Sequence, residues 1–466
     1  MLGKVFKAYD VRATYPKPLN EKLAWQIGYG IAQFLTEEAS NAGHDEPMMR
    51  HIVVGRDMRK SSPALSDALK RGMRDFGAHV IDVGMVDTPF ISFAINYLGC
   101  CGGVQVTASH NPANYNGFKI SKIAAKPVGM TTGLDDIRRM AAMADRDKVT
   151  SANGREEKRD LWAAYREHVH QFLDADLLSG TKTLKVAIDA SNGMAGTMIP
   201  KVFGDVKGLK ITKINFDNST GEFVHEPNPL VEANLAELRE KVVSLKADLG
   251  ICFDGDADRC MVVDEKADIV GCDHLTAWLA QEMLKSSPGA AIVYDLRSTK
   301  ALPEMIESGG GKPVKSRVGH VFMKQKLAEH DAVFGGELSG HFYFRENFYA
   351  DSGAMAFACV VSSLVRAGKS MSKLIAPARK YAQSGEINFE NEDKEAAIDD
   401  LKRAYKKKAK IEELDGVTVD MGDWWCNVRM SNTEPLLRLN LEAADRKTVE
   451  TLVKEVSQYL GKRVAH

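Results

Sequence analysis

The stretch Leu249-Gly250-Ile251-Cys252-Phe253-Asp254-Gly255-Asp256-Ala257-Asp258-Arg259 decides the fold. Its first five residues form a short apolar run, the pattern of a strand buried on both faces. A carboxylate-rich turn follows at once. Comparable runs recur at 52–55, 79–83, 103–107, 185–189, 291–294 and 332–334. Between them lie longer stretches with helical character at 62–76, 160–173, 230–245, 274–284 and 321–329. This alternation predicts α/β layers with largely parallel or mixed sheets over about the first 370 residues.

The last hundred or so residues change character. A short strand at 386–389 and a charged helix at 394–407 precede strands at 412–419, 424–429 and 436–442, and a helix at 446–459 closes the chain. This pattern predicts an α+β module, a small antiparallel sheet with helices on one face. At roughly 150 residues per domain, 466 residues would suggest three domains, but four fit better. The expected boundaries are 1–155, 156–262, 263–372 and 373–466, with the polar stretch 144–160 as the exit linker of the first.

Bulk composition removes several classes of function. Sixty-two Lys and Arg against 63 Asp and Glu leave a formal charge of −1, without the basic excess of a nucleic-acid binder. No apolar run approaches the roughly 18–20 residues that span a bilayer. The opening residues lack a hydrophobic signal core, and the seven scattered cysteines contain no CxxC pair. The expectation is a cytoplasmic chain with reduced thiols, without membrane or nucleic-acid partners. The basic run 402–410 follows five acidic residues and reads as a solvated helix face. Gly309-Gly310-Gly311-Lys312 lacks the spacing of a phosphate-binding P-loop and reads as a turn. The polar stretch 37–49 is assigned no role.

Four loops carry chemistry. Thr107-Ala108-Ser109-His110-Asn111-Pro112 follows a strand, where ligands bind in α/β domains, and a tight turn with Lys119 comes soon after. In Asp254-Gly255-Asp256-Ala257-Asp258-Arg259, carboxylates at alternate positions of an extended segment would project to one side and repel unless a cation sits among them. Such hard oxygen ligands suit Mg²⁺ or Ca²⁺. An EF-hand is excluded because Arg259 stands where its turn needs glycine and the flanks read as strands. Gly335-Gly336-Glu337-Leu338-Ser339-Gly340-His341 offers acceptor, hydroxyl and acid/base groups, with Glu337 and Ser339 spaced for vicinal hydroxyls of a sugar. Arg429-Met430-Ser431-Asn432-Thr433-Glu434-Pro435, with Arg438 beyond, can form an anion cradle.

Together these loops resemble those of the α-D-phosphohexomutase family, in its phosphomannomutase/phosphoglucomutase branch. T-A-S-H-N-P at 107–112, D-G-D-A-D-R at 254–259, G-E-L-S-G-H at 336–341 and R-M-S-N-T-E-P at 429–435 occur in the family's order, one per expected domain. The resemblance implies three similar mixed-sheet α/β domains plus a C-terminal α+β domain around a central cleft. It implies a phosphoserine at Ser109 that ligates one Mg²⁺ with Asp254, Asp256 and Asp258. Lys119, His341 and Arg259 become candidates for proton transfer and charge neutralisation. Tyr9, Arg12, His110, Arg297, His320, Glu337, Ser339, Gly340, His341, Arg429, Ser431, Asn432, Thr433 and Arg438 become candidate substrate contacts. Two positions depart from the family pattern: Ala13 replaces a common glycine after Arg12, and Arg297 stands where lysine is frequent. The S-N-T-E-P loop resembles the hexose branches more than the glucosamine-6-phosphate branch. The implied activity is interconversion of hexose 6-phosphate and hexose 1-phosphate, of mannose or glucose, through a hexose 1,6-bisphosphate, by a monomer or dimer whose partners are small sugar phosphates. A sugar-phosphate binder without turnover, a phosphoglucosamine mutase and a serine-dependent phosphatase are the alternatives.

Overall fold

The computed structural model describes residues 2–44, 46–149, 153–431 and 436–464. The chain divides into two compact units: one comprises 1–270 and 339–372, the other 271–338 and 373–466. Among the described residues, no helix is long and apolar enough to cross a membrane.

The first unit holds two mixed sheets. In one, the strands run in the order Val11–Thr14, Tyr115–Lys122, Gly102–Val106, His51–Arg56, His79–Met85 and Glu156–Lys158. The strands at 51–56, 79–85 and 102–106 are parallel, and the strand at 115–122 is antiparallel to its neighbours. In the second sheet, Leu249–Phe253 lies parallel to Leu184–Asp189 and antiparallel to Cys260–Asp264. All five residues of Leu249–Phe253 are buried, as the apolar run predicts. Residues 339–372 add the antiparallel pair Phe342–Phe344 and Ala350–Asp351 and the almost wholly buried helix Gly353–Ala367.

In the second unit, Lys312–Ser316, Ala291–Asp295 and Phe334–Gly336 are parallel. A separate antiparallel sheet is built from Lys410–Glu412, Val417–Asp420, Trp425–Met430, Leu436–Ala443, Ile387–Glu390 and Lys462–Val464. The helices Lys394–Tyr405 and Arg446–Ser457 bury Leu401, Tyr405, Val449, Val453 and Val456 in the core of this sheet.

Three local expectations are corrected. The stretch 144–160 is more than a linker: Glu156–Lys158 pairs with Val80–Asp82 as a parallel edge strand of the first sheet. The expected strand 412–419 is two strands, because Gly416 turns the chain at φ +65° and a Cβ there would lie 2.1 Å from the Val428 carbonyl oxygen. Lys119 sits in the middle of the strand Tyr115–Lys122, paired with Gln105, where a tight turn was expected. Ala13 is likewise in a strand, opposite Asn116, and is buried in the core of this sheet.

Candidate active site

In the first unit, two loops meet at the C-terminal ends of parallel strands. Ser109 adopts φ +51°, and its amide donates to Thr107 Oγ1 at 3.0 Å. The turn is fastened from behind by Arg59, whose guanidinium is fully buried. Its Nη2 donates to the carbonyls of Ser109 (2.8 Å) and Asn111 (2.7 Å), its Nη1 to those of Pro112 (2.5 Å) and Tyr115 (3.1 Å), and its Nε to Asp57 (3.0 Å). Gly255 lets the acidic loop approach, since a Cβ there would lie 2.3 Å from the Ser109 carbonyl oxygen.

The carboxylates of Asp254, Asp256 and Asp258 each offer an oxygen within 4.8 Å of the others, and all three residues are buried. They do not converge by strand alternation, as expected. Residues 254–259 form a turn, with Ala257 at φ +59°, that gathers the side chains. Ser109 Oγ donates to Asp254 Oδ2 at 3.0 Å. Lys119 Nζ reaches Asp256 Oδ2 at 2.7 Å and Asp258 Oδ2 at 2.5 Å. Burial works against its ammonium, but Asp256 and Asp258 outweigh it and hold Lys119 protonated above the usual lysine value. Asp254 is pushed up by burial and by Asp258 and Asp256. Asp258 is equally buried, yet Lys119 and His341 pull it down.

His110 Nδ1 lies 3.2 Å from Ser109 Oγ and accepts from Arg259 Nη2 at 3.0 Å. The positive charge of Arg259, then burial, lowers this imidazole well below its ordinary value and keeps it neutral. Arg259 and His341 face each other across an antiparallel bridge. His341 shares a hydrogen bond with Ser339 (3.0 Å), and its Nε2 is 3.4 Å from Asp258 and 3.8 Å from Asp351. Gly340, at φ +90°, accepts from the Cys260 amide, which fixes this loop beside the acidic turn. Arg12 pairs with Asp10 and donates to Asn111 Oδ1 at 2.8 Å, and Tyr9 is half-buried nearby in sequence.

Mg²⁺, the metal implied by the resemblance, fits these residues. Asp256 Oδ1 is buried without a hydrogen-bond partner, and Lys119 reaches only two of the three carboxylates, Asp256 and Asp258. The donors are hard oxygens suited to Mg²⁺.

The remaining candidates form a second group, in the other unit. Arg297 is held by Asp295, with Nε at 3.1 Å and Nη2 at 2.8 Å. Glu337 is buried and accepts from the Gly319 amide at 3.0 Å, beside His320 at the start of the helix His320–Glu329. Arg429 and Arg438 are cross-strand partners. Glu386 lies against Arg429 (2.9 Å), Arg438 (3.2 Å) and Arg297 (3.5 Å). The Ser431 amide donates to the Leu436 carbonyl. Asn432 and Thr433 lie outside the described residues. The motif 336–341 is divided between the units, Glu337 in one and Ser339 to His341 in the other. Sequence reasoning missed Arg59, Asp295, Asp351 and Glu386. The sequence signal for Arg59 is its position three residues beyond the strand His51–Arg56, which runs parallel to Gly102–Val106, so that it leaves the same end of the sheet as the Ser109 loop.

Models of the phosphoglucomutase/phosphomannomutase family match almost the whole chain: α/β/α domain I at residues 3–142, domain II at 163–268, domain III at 272–381 and the C-terminal domain at 386–458. The chain belongs to this family of three α/β domains and one C-terminal domain. Among curated relatives, a protein of Xanthomonas campestris pv. campestris named for phosphohexose mutases is 38% identical over 463 residues, with 98% of each chain covered. The phosphomannomutase of Escherichia coli K12 is 35% identical over 465 residues, covering 97% of this chain and 99% of its own. A crystal structure of a phosphoglucomutase/phosphomannomutase family protein from Burkholderia thailandensis superposes with a TM-score of 0.86 at 30% identity, covering 98% of this chain and 96% of its own.

Proposed function

We propose that this chain, a hexose-phosphate mutase by family, moves a phosphoryl group between the 1- and 6-hydroxyls of mannose or glucose phosphates. In this reading, phosphorylated Ser109 is the donor. The free hydroxyl of the bound sugar attacks the phosphorus, the bond from phosphorus to Ser109 Oγ breaks, and a hexose 1,6-bisphosphate forms. After the intermediate turns round, its other phosphoryl group returns to Ser109.

The observation that carries the reading is Ser109 Oγ at 3.0 Å from Asp254, inside a buried set of three carboxylates and one lysine. Binding a sugar phosphate needs no such acidic set; phosphoryl transfer does, because charge develops on the moving group. Asp254, Asp256 and Asp258 would hold one Mg²⁺, which when bound supplies positive charge to the transferring phosphoryl oxygens. Arg259, 3.7 Å from Asp254, adds a fixed guanidinium there. His341 takes the proton of the attacking hydroxyl, and protonated Lys119 supplies one to the departing Ser109 oxygen. Glu337 and Ser339 hold the sugar hydroxyls, while Arg297, Arg429, Arg438 and the 431–433 loop hold the phosphate that does not react, with Tyr9, Arg12, His110 and His320 as further contacts.

The test is a coupled assay with mannose 1-phosphate, glucose 1-phosphate and glucosamine 1-phosphate, each with a trace of bisphosphate. Isomerised mannose or glucose phosphate is expected. Turnover of the glucosamine ester alone would move the substrate assignment, release of free phosphate would make the chain a phosphatase, and neither product would leave a binder. Intact-mass analysis should find one phosphoryl group, lost in Ser109→Ala.

A further inference from the structure

The arginine group contains an acid that phosphate binding does not require. Arg429 and Arg438 lie directly opposite each other on adjacent antiparallel strands, a placement in which like charges destabilise the sheet. Arg297 comes to the same point from the loop after Ala291–Asp295. Glu386, at the start of the strand Ile387–Glu390, meets all three: Oε2 takes Arg429 and Arg297, and Oε1 takes Arg438. Asp295 pairs with Arg297 through two nitrogens, and Glu386 is a carboxylate shared by both arginines of the strand pair. Asp415 also acts on Arg429 and Glu337 on Arg297, but Glu386 is the carboxylate that touches all three guanidiniums, and removing it would raise the charge of the group by one. The cluster is still under-satisfied, because Arg429 Nε is buried and has no hydrogen-bond partner. It is thus poised to receive another anion, with its charge deliberately reduced.

We infer that Glu386 is an internal counter-ion that limits how tightly this cluster grips a phosphate, so that a bisphosphate can let go, reverse and be gripped again by its other end. The inference rests on the mutase reading above. A mutase must release each end of its intermediate once per cycle, and binding energy spent equally on every bound state slows that release. Each arginine adds a charge-assisted, fork-like contact to phosphate. An adjacent carboxylate competes for the same donors and weakens every such contact at once. Glu386 thereby acts through the arginines as a positioning and attenuating residue.

The experiment titrates inorganic phosphate, then glucose 6-phosphate, into the Mg²⁺-loaded full chain, comparing wild type, Glu386→Gln and Glu386→Asp by calorimetry, with steady-state kinetics alongside. Removing one nearby negative charge is expected to tighten phosphate binding about tenfold in E386Q, with KM and kcat both falling. E386D keeps the charge but draws it back by one methylene, so it should lie between. Unchanged or weaker phosphate binding would overturn the inference, because a carboxylate that merely holds the arginines in place would raise Kd and KM when removed. If E386Q fails to fold, judged by its thermal transition, E386D decides alone: tighter binding than wild type supports the inference, equal or weaker binding overturns it. Phosphate titration needs no turnover. A wild type that isomerises nothing defeats the mutase reading, whereas an active enzyme with no tightening in the variants defeats only the role of Glu386.

Discussion

The acidic centre of the first unit and the arginine cluster of the second are charge-inverted versions of one arrangement. Each gathers three like charges, the aspartates all buried and Arg438 half-buried beside buried Arg297 and Arg429, and in each one opposite charge touches several of them: Lys119 among the aspartates, Glu386 among the arginines. They differ in how they are built. The aspartates converge through a turn at a strand end, with spare carboxylate oxygen such as Asp256 Oδ1 left over. Arg429 and Arg438 instead project from paired strands whose register fixes their separation. A turn can adapt to an ion; a strand pair presents a fixed fork. In the proposed mechanism, the centre that accommodates the chemistry is the adaptable one, and the centre that recognises the same group twice is the rigid one.

Four measurements break or sharpen that comparison. The largest effect is expected at Ser109: S109A should lose on the order of 10⁴-fold in mutase kcat with an unchanged circular dichroism spectrum. Activity within tenfold of wild type would separate the acidic centre from catalysis. Next comes the lysine of that centre, which bridges two of its aspartates. Lys119→Met should cost about 3–5 kcal/mol of stability without metal, since it strands buried carboxylates, and added Mg²⁺ should restore part of the loss. Denaturant midpoints with and without Mg²⁺ measure this; a loss that Mg²⁺ leaves untouched would mean that the aspartates do not share a cation.

A smaller effect tests the rigid fork. Arg429→Lys keeps the charge but removes the planar donor pair, so KM for hexose phosphates should rise about tenfold while kcat changes less. Equal KM values would reduce the cluster to a point charge. The smallest effect concerns pH. Burial opposes the charge of Glu386, but Arg297, Arg429 and Arg438 hold its carboxyl below the ordinary value of 4.5. A depressed folded-state pKa contributes stability that is present above pH 4.5 and lost as the pH falls through the folded value. The stability gap between wild type and E386Q should therefore be constant from pH 7 to 5 and close below 4.5. A gap that persists at pH 3 would contradict the ion contacts.

What the sequence revealed depended on how far apart the cooperating residues lie. The strand 249–253 and the acidic turn are contiguous, so both the fold class and the gathering of three carboxylates could be read in one stretch. The same held for Thr107–Pro112 and for the helix Ser62–Phe76, whose bounds the periodicity matched. Arg59 and Glu386 were invisible because each is a single charge in unremarkable surroundings, 50 residues from Ser109 and 43 from Arg429 respectively. The helix Gly353–Ala367 escaped for another reason: burial on nearly every side removes the polar face that gives a helix its period. Lys119 was placed in a turn because Asn116-Gly117 is a turn signal; the antiparallel partners on either side override it.

The five donors of Arg59 have a consequence for the division of motion during a cycle. Four of them fix the backbone at Ser109 and just after it, through the carbonyl oxygens of Ser109, Asn111, Pro112 and Tyr115, whose demand for partners is the same whether or not the hydroxyl carries a phosphoryl group. In the proposed cycle the serine is therefore carried on an anvil: its left-handed backbone is held as firmly after each transfer as before. With such a donor immobile, the proposed mechanism leaves the rotation that turns a 1-phosphate into a 6-phosphate entirely to the sugar.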